Sequence, residues 1–396
     1  MTPADSLPLK SAPSLDLLSG YRVLDLTTSV AGPYATQLLG DLGASVVKIE
    51  KPQGGDDARA WGPPFLDGES LWFSCVNRNK RSVAIDVSGA AGYELFLRLL
   101  ARADVLVVNL VPRAQAKLRI DYATLRSHKP DLVHVSITGF GLCGPRANLP
   151  CYDLIAEGYS GVMDLTGEAQ SGPQKVGSPA ADLLAGMDAA FATVAALLRR
   201  TRDGRGCQVD ISMVESMTRF VAPRLAAYMG SGEVPRRSGG RDSVIAIYQV
   251  FETQDLPMTL GLGSDAIWRR FWNVLERPDI AADPRYATNA ARREHRARLV
   301  ELIAPVLRGR PRAEWLAIFA EHNVPSGPIN RVDEVSSDAA LIESGLFYGV
   351  ERGGVRIPQV GLGIKFDGQA EGCALAPPKL GADTQQVLQE WLELQQ

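Results

Sequence analysis

Two hydrophobic periods alternate along the first part of the chain. Arg22 to Asp25 opens a strand in YRVLDLT, and Ala44 to Glu50 (ASVVKIE) reads as a second, buried strand. Between them Ala35, Leu38, Leu39 and Leu42 recur at helical spacing, behind a Ser29-Val-Ala-Gly-Pro-Tyr turn and ahead of Gly43. Strand, helix and strand within about thirty residues form a βαβ unit, the building block of parallel sheets. The order then repeats. Strands are predicted at Ser82–Asp86, Val105–Leu110, Leu132–Thr138 and Gln208–Ser212. Helical patterns fall at Gly92–Ala103, Ala114–Leu118, Tyr122–Ser127, Leu183–Leu198 and Met213–Ala227. The expected fold is α/β, with an open, doubly wound, mostly parallel sheet.

Around Gly230 the texture changes. Ser231 to Asp242 (SGEVPRRSGGRD) is polar and glycine-rich. Strand patterns follow at Ile245–Phe251 and Met258–Leu262, then a helical stretch rich in Arg and Trp from Asp265 to Phe319. Val324-Pro-Ser-Gly-Pro-Ile looks like a second linker, and helix patterns return at Asp333–Ser344 and Asp383–Leu394. The implied organisation is a discontinuous large domain, 1–225 and 330–396, and a smaller α+β domain, 232–323, joined by linkers 226–231 and 324–329. A length of 396 residues, too great for one typical core, agrees with two domains. The first eighteen residues, MTPADSLPLKSAPSLDLL, read as a short mobile arm.

Composition narrows the partners. Hydrophobic residues make up 45% and charged residues 22%, with a net charge of −3 and cations mixed among acids. No basic block points to nucleic acid. No apolar run is read as reaching the roughly 18 residues of a membrane span, and the N-terminus lacks the pattern of a secretory signal. Five widely spaced cysteines without C-x-x-C spacing suit a reducing cytoplasm and give no zinc signature. The four histidines stand apart, so no metal site is expected. Gly139 to Gly144 fits G-x-G-x-x-G after a strand, but Pro145 and Pro150 follow, where a dinucleotide site needs a helix; a glycine turn is the reading.

The stretch Cys151–Leu198 carries the chemistry. Glycine, proline and serine crowd the residues before Asp182, and a small-residue helix follows it. A carboxylate at such a junction is either a helix cap or a nucleophile on a rigid element. Tyr152-Asp153, Ser160-Gly161-Val-Met, Leu165-Thr166-Gly167, Gly172-Pro173 and Asp182 followed by Gly186 resemble the signature of the family III CoA-transferases. The likeness extends from about Leu18 to about Asp383. It implies that Asp182 is the covalent nucleophile, that the large domain is Rossmann-like and binds CoA, and that the chain forms an interlocked homodimer. An acyl-CoA and a carboxylic acid would be the substrates, with the CoA thioester bound transiently and no permanent cofactor.

The resemblance also assigns CoA contacts. Val30 and Ala31 would lie along the CoA arm. Lys51 and Lys117 stand where the family has arginines for phosphates, so bidentate pairing is lost. Ile85, Asp86, Val87 and Ser88 fall at the adenine end, Asn109 and Leu110 near the pyrophosphate, and Tyr152 and Asp153 in a further CoA and active-site segment. Gly239 and Gly240 stand roughly where a glycine loop covers the nucleophile, although the family's longer glycine run is absent. With Gly139 to Gly141 they are candidates for backbone N–H groups facing an oxyanion. The formyl-CoA branch has Gln where Val30 stands, which argues against formyl-CoA and oxalate. Arg78, Arg237 and Arg241 are cations available for a dicarboxylate such as succinate. The alternative is a 2-methylacyl-CoA racemase of the same superfamily. That branch has His where Tyr152 stands, and a tyrosine, with a reference pKa of ~10, is a poor base at neutral pH. A non-catalytic CoA-binding protein is a third reading, which the presence of Asp182 opposes.

Overall fold

The computed structural model describes residues 3–11, 15–370 and 372–392. Six strands form its central sheet: β1 (Arg22–Leu26), β2 (Ser45–Glu50), β3 (Lys80–Ala84), β4 (Val105–Val108), β5 (Val133–Thr138) and β6 (Cys207–Ser212). They lie in the order β3-β2-β1-β4-β5-β6, and every neighbouring pair is parallel. The order reverses between β1 and β4, as a doubly wound sheet requires. β4 and β5 are buried along their whole length, which is why VLVV shows no alternation.

Contacts divide the chain into two units: 1–163, 175–233 and 336–396 form the first, 164–174 and 234–335 the second. These bounds differ from the predicted ones at both linkers. Residues 164–174 join the second unit because the Gly167 carbonyl accepts the Gly239 N–H and Asp164 pairs with Arg237. The expected linker 226–231 is the end of a helix, Ala222–Ser231. The expected linker 324–329 contains a strand, Ser326–Pro328, antiparallel to Met258–Gly261, which pairs in turn with Tyr248–Phe251. In this second unit Trp268, Phe271, Trp272, Ile303, Trp315 and Phe319 gather from three helices into one core.

In the first unit the predicted Met213–Ala227 helix is two, Met213–Phe220 and Ala222–Ser231, broken at Val221 just before Pro223. The returning tail adds a hairpin absent from the prediction, Phe347–Arg352 with Val355–Val360. The N-terminal arm is tied to it: Lys10 donates to the Gly349 carbonyl at 2.9 Å and Gly349 to that of Pro8 at 2.9 Å. The last helix, Thr384–Leu392, packs on β3, and Asp383 accepts the Ser82 N–H at 2.8 Å. Positions 393 and 394 of its predicted span lie outside the described residues.

The helix Ala180–Asp203 is long and apolar enough, by length and composition, to cross a membrane, contrary to the reading of the sequence. Asp182 and Asp188 break up its apolar run. Here it lies against the helix Ala31–Asp41 and against β5 and β6. The two helices approach closely at Gly186, where a Cβ would stand 2.7 Å from the Ala31 carbonyl oxygen and 3.0 Å from the Tyr34 ring. Only glycine permits that approach without displacement.

Candidate active site

The turn between β1 and the Ala31–Asp41 helix rests on a buried ionic frame. Asp25 is fully buried and accepts from Thr36 Oγ1 at 2.7 Å and from Lys80 Nζ at 3.0 Å. Lys48 Nζ lies 2.9 Å from Asp56 and donates to the Thr27 carbonyl at 2.8 Å. Burial alone would push the Asp25 carboxyl up; the Lys48 and Lys80 ammoniums and two threonine hydroxyls hold it well below the usual range. Charges this deep are tolerated only when fully paired. The frame fixes the turn above it. Ser29, at φ 71°, donates its N–H to Asp56 at 2.9 Å, and Asn109 clasps Thr28 through both amide atoms, at 3.1 and 2.7 Å. Val30 is thereby set as the residue that starts the helix.

Asp182 is not the cap of its own helix. Pro179 holds that position without a side-chain bond, and Asp182 is the third helical residue. The cap comes from another element: Asp153, at the start of the helix Asp153–Ser160, accepts the Ala181 N–H at 2.9 Å and the Asp182 N–H at 3.4 Å. Such an acceptor satisfies N–H groups that open every helix. Asp182 is half-buried, and its carboxyl is pushed up to about 7, first by burial and then by the Asp153 charge. The neighbouring Cys151 thiol is pushed up to about 11 by burial and by Asp182, so it is protonated at neutral pH. A cavity of about 440 Å³ opens over Asp182, lined by Val30, Trp61, Trp72, Tyr152 and Lys175 among others. The two tryptophans meet edge to face with centroids 6.4 Å apart.

Of the sequence-predicted residues, Val30, Tyr152, Asp153 and Asp182 share this cavity. Ala31 is buried beneath it against Gly186. Lys51, Ile85 to Ser88 and Asn109-Leu110 do not line it, but they follow the carboxyl ends of β2, β3 and β4. A parallel sheet places those ends along one edge, where open α/β folds bind ligands. Ile85 and Val87 are buried; Asp86 and Ser88 are exposed and bond each other. Lys51 is exposed and 2.9 Å from Asp57; Lys117 is exposed on the helix Pro112–Leu118. Gly239 and Gly240 line a cavity of the second unit, about 520 Å³, with Arg241 and Gln249. Arg78 is not free for a substrate: its guanidinium is buried on Asp41, with a bond at 2.7 Å, and on the Val360 carbonyl at 2.8 Å. Arg237 is paired with Asp164 at 2.7 Å. Trp61 and Lys175 sit in irregular loops without a period, and Trp72 in a helix of five residues, Leu71–Cys75, too short to show one, so the sequence does not point to them. The G-x-G-x-x-G segment begins no helix; the next one starts at Asp153.

Residues 18–384 match the profile of CoA-transferase family III. The chain belongs to CoA-transferase family III. A succinate–glutarate CoA-transferase of Agrobacterium fabrum is 38% identical over 94% of this chain and 95% of its own length. A succinyl-CoA:glutarate CoA-transferase of Mus musculus is 34% identical over 97% of this chain and 88% of its own. Among solved structures, a CAIB/BAIF family protein from Brucella suis superposes with a TM-score of 0.83 at 35% identity, covering 94% of this chain and 99% of that one. This CoA-transferase thus works on CoA thioesters and carboxylic acids.

Proposed function

We propose that this CoA-transferase moves CoA from succinyl-CoA to a second small dicarboxylic acid, such as glutarate, with Asp182 as a temporary covalent carrier. The observation that carries the reading is the Asp182 carboxyl itself: partly desolvated, raised to about 7, and open to a cavity at the carboxyl edge of the sheet. A carboxylate stripped of water is a stronger nucleophile, and a carboxylate is also a competent leaving group. An Asp182 oxygen attacks the thioester carbonyl; the acyl–oxygen bond forms, the carbon–sulfur bond breaks, and CoA leaves as thiolate. The thiolate then attacks the Asp182 carbonyl of the mixed anhydride and expels the first acid as carboxylate. The aspartyl-CoA thioester meets the second carboxylate, and the same two steps run backwards to give the new acyl-CoA and free Asp182.

The dicarboxylate assignment is supported by the named activities of the two glutarate relatives. CoA lies along the carboxyl edge of the sheet, its arm at Val30-Ala31 and its adenine at Ile85–Ser88. Lys51 and Lys117 meet the phosphates, for which Lys51 must release Asp57. The reaction is assigned to the cytoplasm, in keeping with free thiols at Cys75, Cys143, Cys151, Cys207 and Cys373. The working form is a homodimer.

Intact-protein mass spectrometry after mixing with succinyl-CoA, without acceptor, tests the mechanism. Acyl or CoA adducts trapped with hydroxylamine or borohydride should map to Asp182. Asp182→Asn should form none and lose about 10³-fold or more in turnover. Unimpaired transfer by that variant, or solvent deuterium entering the α-carbon of a 2-methylacyl-CoA without acid exchange, would refute the reading in favour of another role.

A further inference from the structure

The helix that supplies the Asp153 cap holds a second acid that the reaction does not use. Glu157 lies one turn after Asp153 and is fully buried. Its Oε2 accepts the N–H of Val176, in the loop that leads into the Asp182 helix, at 2.8 Å. Its Oε1 is buried with no donor facing it among the described residues. The group beside it is the Asp153 carboxyl, another acceptor, so a bond between the two exists only when a proton lies between them. Asp153 in turn holds the Ala181 and Asp182 N–H groups. Contacts therefore run without a break from Val176 through Glu157 and Asp153 to the backbone of Asp182.

We propose that Glu157 is a positioning residue of this active site, carrying a proton that it shares with Asp153 and so fixing both the cap on the Asp182 helix and the loop before it. The proposal rests on the reading of Asp182 as the reacting group. A buried carboxylate facing a half-buried one repels it when both are charged, which proteins avoid by keeping one of them neutral. Burial and the Asp153 charge push the Glu157 carboxyl up, while the Val176 N–H and, more weakly, the Lys175 ammonium pull against them. The charged groups on the elements packed around this helix are Asp182 and Asp188 in the first half of the long helix, Arg199, Arg200, Arg202 and Asp203 in its last turns, and Glu215 and Arg219 of Met213–Phe220. Asp188 is engaged by Ser216 and Arg219. A neutral Glu157 keeps one negative charge out of the cluster and lets Asp182 ionise near neutral pH.

Glutamine copies a protonated glutamate here: its oxygen accepts from Val176 and its amide donates to Asp153. Glu157→Gln should keep kcat/KM within about threefold of the parent and leave the midpoint of its pH profile unmoved. Glu157→Leu, which removes both bonds, should lose about tenfold or more. Infrared difference spectra of the unliganded protein, parent minus Glu157→Gln, should show the C=O band of a protonated carboxyl at pH 7. No such band, a midpoint moved down by Glu157→Gln, or a fully active Glu157→Leu would overturn the proposal. The infrared result stands whether or not Asp182 forms adducts, so failure of the covalent mechanism and failure of this proposal are separately visible.

Discussion

Asp182 is a carboxyl that the fold disfavours in its charged form, and that has a thermodynamic signature. Its folded value of about 7 lies above the ordinary 3.8, so between those limits the folded chain binds this proton more tightly than the unfolded chain. The group stabilises the fold below about pH 4, and that contribution is lost as pH rises to about 7. Asp182→Asn should therefore be more stable than the parent at pH 8, by about 2 kcal/mol after allowance for partial exposure, and nearly equal at pH 4. Urea denaturation of both proteins at the two pH values checks this; an equal difference at both would show that the carboxyl is not destabilised in place. The stability gained should accompany lost turnover, the trade expected of a residue kept for chemistry. The sequence places Asp182 at a loop-to-helix junction but cannot show that Asp153 caps that helix. The pair is 29 residues apart, and only the tertiary fold brings the carboxylate of one to the N–H groups of the other. Arg78 fails for a related reason: a guanidinium looks available until Asp41 is seen beside it.

At the scale of elements, the parallel sheet was legible because buried central strands announce themselves as β-branched runs, as in Val105–Val108. The hairpin at Phe347–Val360 was not read, although Gly353-Gly354, both at positive φ, is a hairpin turn signal. Pro358 inside the second strand masks it. The contact that sets Asp182 over its cavity is that of the long helix with Ala31–Asp41. Gly186→Val would thrust a branched side chain against the Ala31 carbonyl and the Tyr34 ring. The helices must part or the side chains shift, at a cost of about 2 kcal/mol or more. Because Val30 begins the displaced helix and lines the cavity, KM for the acyl-CoA should rise as well. Denaturation midpoints and steady-state kinetics read the two effects. A variant with a normal midpoint and normal KM would mean that the close approach is not needed.

At the scale of the whole molecule, the discontinuous first unit follows from a chain that leaves and returns, and the returning part is bound in place by Arg78 to Val360 and Asp383 to Ser82. What a single chain leaves uncovered is an apolar face. Met187, Phe191 and Leu198 lie along one side of the long helix, with Phe191 77% exposed, and Phe220 and Met229 on the next two helices are exposed as well. Spacings of four and eleven residues bring these three side chains back to one stripe of a helix. The opposite side of that helix is packed against the sheet, so the stripe is outward-facing and uncovered among the described residues. Leaving rings and thioethers of this size in water is costly, and such patches usually mark an interface. A second copy of the chain is the occupant the homodimer reading requires. Sedimentation equilibrium should give twice the chain mass of 42.7 kDa. Phe191→Glu with Met229→Glu should shift the protein to monomer, since a carboxylate buried in an apolar contact has no partner there. A parent protein that sediments as a monomer at micromolar concentration, or a double variant that remains dimeric, would leave the stripe without that role.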